Sequence, residues 1–195
     1  MALMARRHIA GVAACSAALA ALAMQTRMDS RMARADRAAF GCIRARRTED
    51  GIAVARVVSS LAEPGVVYPV VAFVSVAAAP RTGWRHACLP VLTVASGAVA
   101  RRAVSRMVAR PRPPAEAWLI TPEGYSLPSK HTTMAALGTG ACLRVLGVHR
   151  PVASAAIALA AAGIGVSRIY LGVHWPADVV AGWLFADGWL YLTDP

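Results

Sequence analysis

Lysine is almost missing from this chain. Lys130 is the only one, so nearly all of a formal net charge of +11 comes from arginine. Acidic residues are scarce too, 10 against 21 basic ones. Such an excess serves nucleic acid, an anionic membrane surface or a phosphorylated substrate. Nucleic acid is set aside, because the arginines are scattered over the connections between apolar segments instead of forming one basic stripe. Cysteine is sparse and unpatterned. Cys15, Cys42, Cys88 and Cys142 show no CxxC or metal-ligand spacing, and no disulfide framework is indicated. Three of them, Cys15, Cys88 and Cys142, fall in apolar runs, where cysteine acts as a small hydrophobe. Internal repeats and low-complexity linkers are absent as well. The 195 residues suit one domain, residues 1–195.

What the chain has in plenty is apolar residues, 57% of the total, gathered into long runs. Runs of this kind make a bilayer the expected solvent. Six spans are expected, over about residues 8–24, 64–79, 87–104, 131–148, 152–166 and 177–192. The first follows Arg6 and Arg7 and has the look of a cleaved signal. It is read as a retained membrane helix because more spans follow. Pro176 suits the first turn of the last span, and Ser129 is a plausible N-cap for the fourth. Residues 80–83 and 147–151 read as turns, and 115–127 and 167–175 as loops. The segment 25–62 differs from the rest. Its arginines, among them Arg27, Arg31, Arg34 and Arg37, recur every three or four residues beside Asp29 and Asp36, which places them on one helix face. Either an amphipathic helix on anionic headgroups or a solvated connecting helix fits this pattern.

Three polar stretches stand at the ends of spans: Arg110-Pro111-Arg112-Pro113-Pro114, Pro128-Ser129-Lys130-His131, and Ser167 to Asp178. Counting passes puts all three on one side of the bilayer, together with segment 25–62. Within the last stretch, His174 and Asp178 are four apart and share a face at a helix start. A carboxylate there can accept the Nδ1 proton of the imidazole and leave Nε2 as a nucleophile. Arg168, six residues earlier, is within reach through a loop to hold a phosphoryl oxygen, for which its planar fork is suited. Ser129 and nearby backbone amides can bind phosphate oxygens, and His131 can act as a general acid. Any one of these stretches alone has bland readings, as a cap or a basic stop after a span; the three together, in this order, are far more specific.

With these residues in place, the chain resembles the type 2 phosphatidic acid phosphatase (PAP2) family, the membrane branch of the acid phosphatase and vanadium haloperoxidase superfamily. That family carries Lys-x6-Arg-Pro, then Pro-Ser-Gly-His, then Ser-Arg-x5-His-x3-Asp. The third signature is complete here, as Ser167-Arg168, His174 and Asp178. The second stands as Pro128-Ser129-Lys130-His131, and the first as Ser105 to Arg112-Pro113. The resemblance covers about residues 60–192. It implies an all-α, six-transmembrane helical bundle with no cofactor and no metal. It implies His174 as nucleophile, Asp178 orienting it, and His131 protonating the leaving group. Arg112, Ser129 and Arg168 would bind the phosphoryl group. Two positions depart from the family. Ser105 replaces lysine, and Lys130 replaces a glycine; Lys130 is read as returning the missing charge.

The expectation is therefore a multi-pass protein of the cell membrane that hydrolyses a lipid phosphate, of polyprenyl or phosphatidate type, through a phosphohistidine. Two alternatives share its residues: a relative that binds lipid phosphate without turnover, motivated by Ser105, and a lipid phosphotransferase. Sidedness is open. The family's habit puts the site outward, whereas the arginines of segment 25–62 favour the inside.

Overall fold

The computed structural model describes residues 2–27 and 30–194, with side chains from Ile9 onward except that of Arg27. Arg6, Arg7, Arg27 and Asp29 of the sequence reading thus lie outside the described side chains. Helix α1 (Ala2–Arg27) is the first apolar run. Ser30 caps α2 (Arg31–Ala45), and Thr48 caps α3 (Glu49–Ser60), each hydroxyl accepting an N3 amide at 3.1 Å. Glu49 and Asp50 occupy the first turn of α3, where the helix dipole favours carboxylates. Then come α4 (Pro64–Thr82), the single turn α5 (Trp84–Ala87), α6 (Leu89–Val108), α7 (Lys130–Val145), α8 (Arg150–Tyr170) and α9 (Pro176–Leu192). Pro64, Pro90, Pro151 and Pro176 stand in first turns, where an amide has no helical partner to lose. No strand occurs among the described residues.

Each expected span corresponds to a helix, with shifted ends. Four stretches are long and apolar enough to cross a membrane by themselves: Ile9–Thr26, Pro64–Thr82, Trp84–Val108 and Arg150–Tyr170. The other two, α7 and α9, have 16 and 17 residues, or about 24–26 Å of helix. Helix α7 lies at the centre, packed against α4, α6, α8 and α9, while α1 covers α9 from the other side. The core joins Val67 and Val71 of α4, Val94 of α6, Met134 and Leu137 of α7, and Leu190 of α9. Gly140 lets α7 approach α9 closely, since a Cβ there would stand 2.3 Å from Leu190 Cδ1. The outer surface exposes Val70, Phe73, Val76, Leu92, Val99 and Leu159, an apolar exterior suited to lipid.

Segment 25–62 is helical as expected, and it docks on the bundle through a buried inner face. Helix α2 docks on the end of the bundle, against α8 and α9. Its inner face buries Ala33, Asp36 and Phe40, while Arg31, Arg34, Arg37 and Arg44 are exposed. Phe40 meets the Trp175 ring at 5.1 Å between centroids. Asp36 accepts the Ala177 amide at 2.7 Å and Arg110 Nη2 at 2.5 Å. Farther along, Arg47 Nη1 donates to Ala117 O at 2.9 Å, and Tyr170 Oη accepts the Thr48 amide at 2.8 Å. Buried charge, not surface charge, decides where this helix sits.

Asp36→Ala leaves Arg110 with Asp178 as a remaining partner and strips the acceptor from the buried Ala177 amide, so it is expected to lower the unfolding free energy in detergent by roughly 1–3 kcal/mol. The exposed Arg31→Ala should stay within about 0.5 kcal/mol of wild type. Denaturant unfolding of the two variants checks this, and equal stabilities would contradict the docking described.

Candidate active site

Helix α8 runs on to Tyr170, so Arg168 sits on its last turn and not in a loop as expected. The chain then reverses at Gly172, whose φ of +83° and surroundings both require glycine. A Cβ there would lie 2.0 Å from Ala117 O. This tight passage sends His174 inward to 1% exposure and starts α9 two residues later. Asp178, in the first turn of α9, is fully buried. Its Oδ2 accepts the Trp175 amide at 2.8 Å and the Ser126 hydroxyl, and its Oδ1 accepts Arg110 Nη1 at 2.6 Å.

The partners of His174 decide its tautomer. Nε2 lies 3.2 Å from Arg112 Nη1, and a guanidinium only donates, so Nε2 carries the lone pair. The proton is then on Nδ1, 3.4 Å from Asp178 Oδ2. Burial pushes the His174 pKa down; Asp178 pulls it up, and the charges of Arg112 and Arg168 push it down again, to about 4. The ring is neutral at pH 7, with its lone pair on the side of Arg112. Arg112 itself is held by four backbone carbonyls: Val173 O at 2.7 Å, Glu123 O at 2.7 Å, Gly124 O at 2.9 Å and Tyr125 O at 3.1 Å. Burial lowers its pKa and Asp178 opposes the shift.

His174 and Arg112 open on a cavity of about 340 Å³, also lined by Arg168, His131, Lys130 and Glu63. Arg168 Nη1 donates to Ser59 Oγ at 2.7 Å, and its Nε is buried without a partner. His131, in the first turn of α7, has Nε2 2.7 Å from Glu63 Oε1, while its Nδ1 is buried without a partner. Lys130 is half-buried at the rim, its Nζ 4.0 Å from Glu63 Oε2. Two residues singled out in the sequence, the predicted Ser129 and the departure Ser105, stand apart. Ser129 is fully buried and does not line the cavity. It occupies the N-cap position of α7 without making a side-chain cap. Its amide donates to Asp178 O at 3.0 Å, and its hydroxyl accepts from Thr132 Oγ1 at 3.1 Å. Ser105 is likewise buried in α6, away from the cavity lining.

Sequence reasoning missed Glu63, Ser126 and Asp36, and quoted Arg110 without giving it a role. A signal existed for Asp36, since Ala33, Asp36 and Phe40 follow an i, i+3, i+7 pattern opposite the arginines. None existed for Glu63, which lies 68 residues from His131 in the chain. Chemically, the assembly offers a neutral imidazole nitrogen beside a fixed guanidinium, a second imidazole paired with a carboxylate, and two further cations. That combination can bind a tetrahedral oxyanion and attack its centre.

The family model described as PAP2 superfamily matches residues 86–193. No curated protein matches the chain. Among solved structures, the chain is similar to the first transmembrane PAP2 type phosphatidylglycerolphosphate phosphatase from Bacillus subtilis. Identity is 21%, the match covers 93% of each chain, and the TM-score is 0.84. At that identity the likeness is one of fold.

Only a neutral imidazole reacts with diethyl pyrocarbonate. A pKa depressed to about 4 keeps His174 neutral through mildly acidic solution. Its modification rate, followed by mass spectrometry, should be nearly unchanged between about pH 7 and pH 5.5, where an ordinary histidine near 6.5 slows roughly eightfold. A slowing of that size at His174 would contradict the burial argument.

Proposed function

Because the chain belongs to the PAP2 superfamily, we propose that it is a membrane lipid phosphatase working through a phosphohistidine. What supports this reading most is the neutral His174 Nε2 facing Arg112 in a polar cavity that adjoins an apolar groove. The groove, about 490 Å³, lies among α3, α4, α7 and α8. Ser59, Ser60 and Glu63 line the polar cavity, while their chain neighbours Val58, Leu61 and Val66 line the groove. A phosphate in the one and a hydrocarbon tail in the other describe a lipid phosphate of polyprenyl or phosphatidate type.

In the first step the Nε2 lone pair attacks phosphorus, and the bond to the leaving oxygen breaks. Asp178 holds the Nδ1 proton and stabilises the charge that appears on the ring. His131, protonated to the imidazolium when the anionic phosphate binds, gives its Nε2 proton to the departing alkoxide and is left neutral. Arg112 and Arg168 meet the charge on the phosphoryl oxygens, with Lys130 at the rim, an electrostatic task that positioned cations perform well. In the second step water attacks the phosphohistidine, and His131 takes the proton it releases. Phosphate leaves and His174 is neutral again. Ser129 acts here by tying the start of α7 to Asp178. The residues require no cofactor, and the protein belongs in the cell membrane as a multi-pass enzyme. The reading of a binder without turnover rests on Ser105; the transferase reading would pass the phosphoryl group to an alcohol in place of water.

Phosphate release from a panel of lipid phosphates, in detergent with EDTA, tests the reading. Activity should survive EDTA and fall at least about a thousandfold in His174→Ala. His131→Ala should lose about a hundredfold or more on lipid esters and far less on p-nitrophenyl phosphate, whose leaving group needs no proton. No release from any lipid by folded protein would favour the binder.

The groove makes a separate prediction. Space around Gly163 is open, so Gly163→Phe fills part of the groove without disturbing the core. The ratio of kcat/KM for a long-chain over a short-chain phosphate ester should drop about tenfold, the worth of two or so methylenes. An unchanged ratio would place the tail elsewhere.

A further inference from the structure

Glu63 stands at the seam between the polar cavity and the apolar groove. It follows Leu61 of the groove, precedes Val66 of the groove, and itself lines the cavity. It occupies the N-cap position of α4, yet its side chain makes no cap. The carboxylate turns instead to His131 Nε2 at 2.7 Å and Lys130 Nζ at 4.0 Å. It is half exposed to the cavity. Burial alone would raise its pKa, but the hydrogen bond to His131 and the charges of His131, Lys130 and Arg168 outweigh burial and hold it below the ordinary carboxylate range. Glu63 is therefore an ionised group inside a site built for an anion.

The charges of the cavity are unevenly divided. On the nucleophile's side, Arg112 stands 3.2 Å from His174 Nε2. Arg168 is the second cation, bonded to the neutral hydroxyl of Ser59. On the side of His131, Glu63 stands 2.7 Å from Nε2, the charges of Lys130 and Arg168 both act on it, and Arg56 lines the same cavity. The two sides thus differ: beside His174 Nε2 stands a guanidinium, and beside His131 Nε2 a carboxylate.

We propose that Glu63 determines the leaving group, admitting the alcohol oxygen of a phosphomonoester and rejecting the anionic phosphate of a diphosphate. This rests on the phosphatase reading with His131 as the acid. The leaving oxygen must approach the same Nε2 that Glu63 holds, so whatever that oxygen carries meets the carboxylate at contact distance. An alcohol brings carbon and no charge, and its oxygen leaves protonated by His131 Nε2. In a diphosphate, His174 attacks the terminal phosphorus and the leaving oxygen belongs to a second phosphate. That phosphate would be pressed against Glu63, a like charge at contact distance that already shares the charges of Lys130 and Arg168. Discrimination by an unpaired like charge needs no extra contact with the favoured substrate.

Farnesyl phosphate and farnesyl diphosphate share one tail and differ only on the leaving side, so they isolate the effect. Wild type should favour the monophosphate in kcat/KM. Glu63→Gln keeps the shape and a hydrogen-bond partner for His131, and should shift the ratio toward the diphosphate by at least about tenfold. A parallel loss on both substrates would show that Glu63 merely supports His131, and would overturn the proposal. So would an unchanged ratio, or a wild-type preference for the diphosphate. Should wild type turn over neither, the phosphatase reading fails. The same two compounds, titrated by thermal shift on wild type and Glu63→Gln, then give the ratio as Kd values, with the same tenfold shift supporting the proposal and its absence overturning it.

Discussion

One buried carboxylate holds the reactive end of this bundle together. Asp178 is fully buried, and a carboxylate in that position is costly unless donors surround it. The donors come from separate parts of the chain: Arg110 just past α6, Ser126 in the following loop, and the Trp175 amide and His174 ring from the turn after α8. The Asp178 carbonyl adds the Ser129 amide ahead of α7. Satisfying one residue thus brings all three polar stretches of the sequence to one place. Orientation of His174 is a by-product of that requirement.

Arg110 extends the network outward. It bridges Asp178 to Asp36 at 2.6 and 2.5 Å and lies 5.6 Å over the Trp175 ring. The two carboxylates occupy separate nitrogens of one guanidinium, and the second carboxylate is supplied by α2. Helix α2 consequently serves as a strap across the site, with Arg31, Arg34, Arg37 and Arg44 exposed. Division of labour follows among the cations. Arg110 is consumed by structure, while Arg112 and Arg168 keep charge directed into the cavity. Lys130 shares its charge with Glu63, so the cation that replaces the family glycine does not act as a free one.

Legibility followed the range of the interactions. His174 and Asp178 were readable because four residues on a helix start are neighbours whatever the rest does. The expected loop at 167–175 was half wrong: nothing in Ser167 to Tyr170 breaks a helix, and α8 continues until Gly172 turns the chain. Ser129 was expected on phosphate because its hydroxyl sits beside His131 in sequence. In the fold its hydroxyl and amide face Thr132 and Asp178, since the start of α7 must pack on α9. Glu63 was invisible because its significance lies wholly in a partner 68 residues away.

From the sequence alone came the apolar runs, their order, and the motif spacing that places three polar stretches on one side, because helix periodicity and bilayer crossing are local or countable properties. Family resemblance added the expected roles of His174, Asp178 and His131. Tertiary structure alone decided which cations reach the cavity, which carboxylates neutralise them, and that α2 docks on the site. Those outcomes depend on the desolvation of charges brought together from distant positions, and no spacing in a chain records which buried charges will meet.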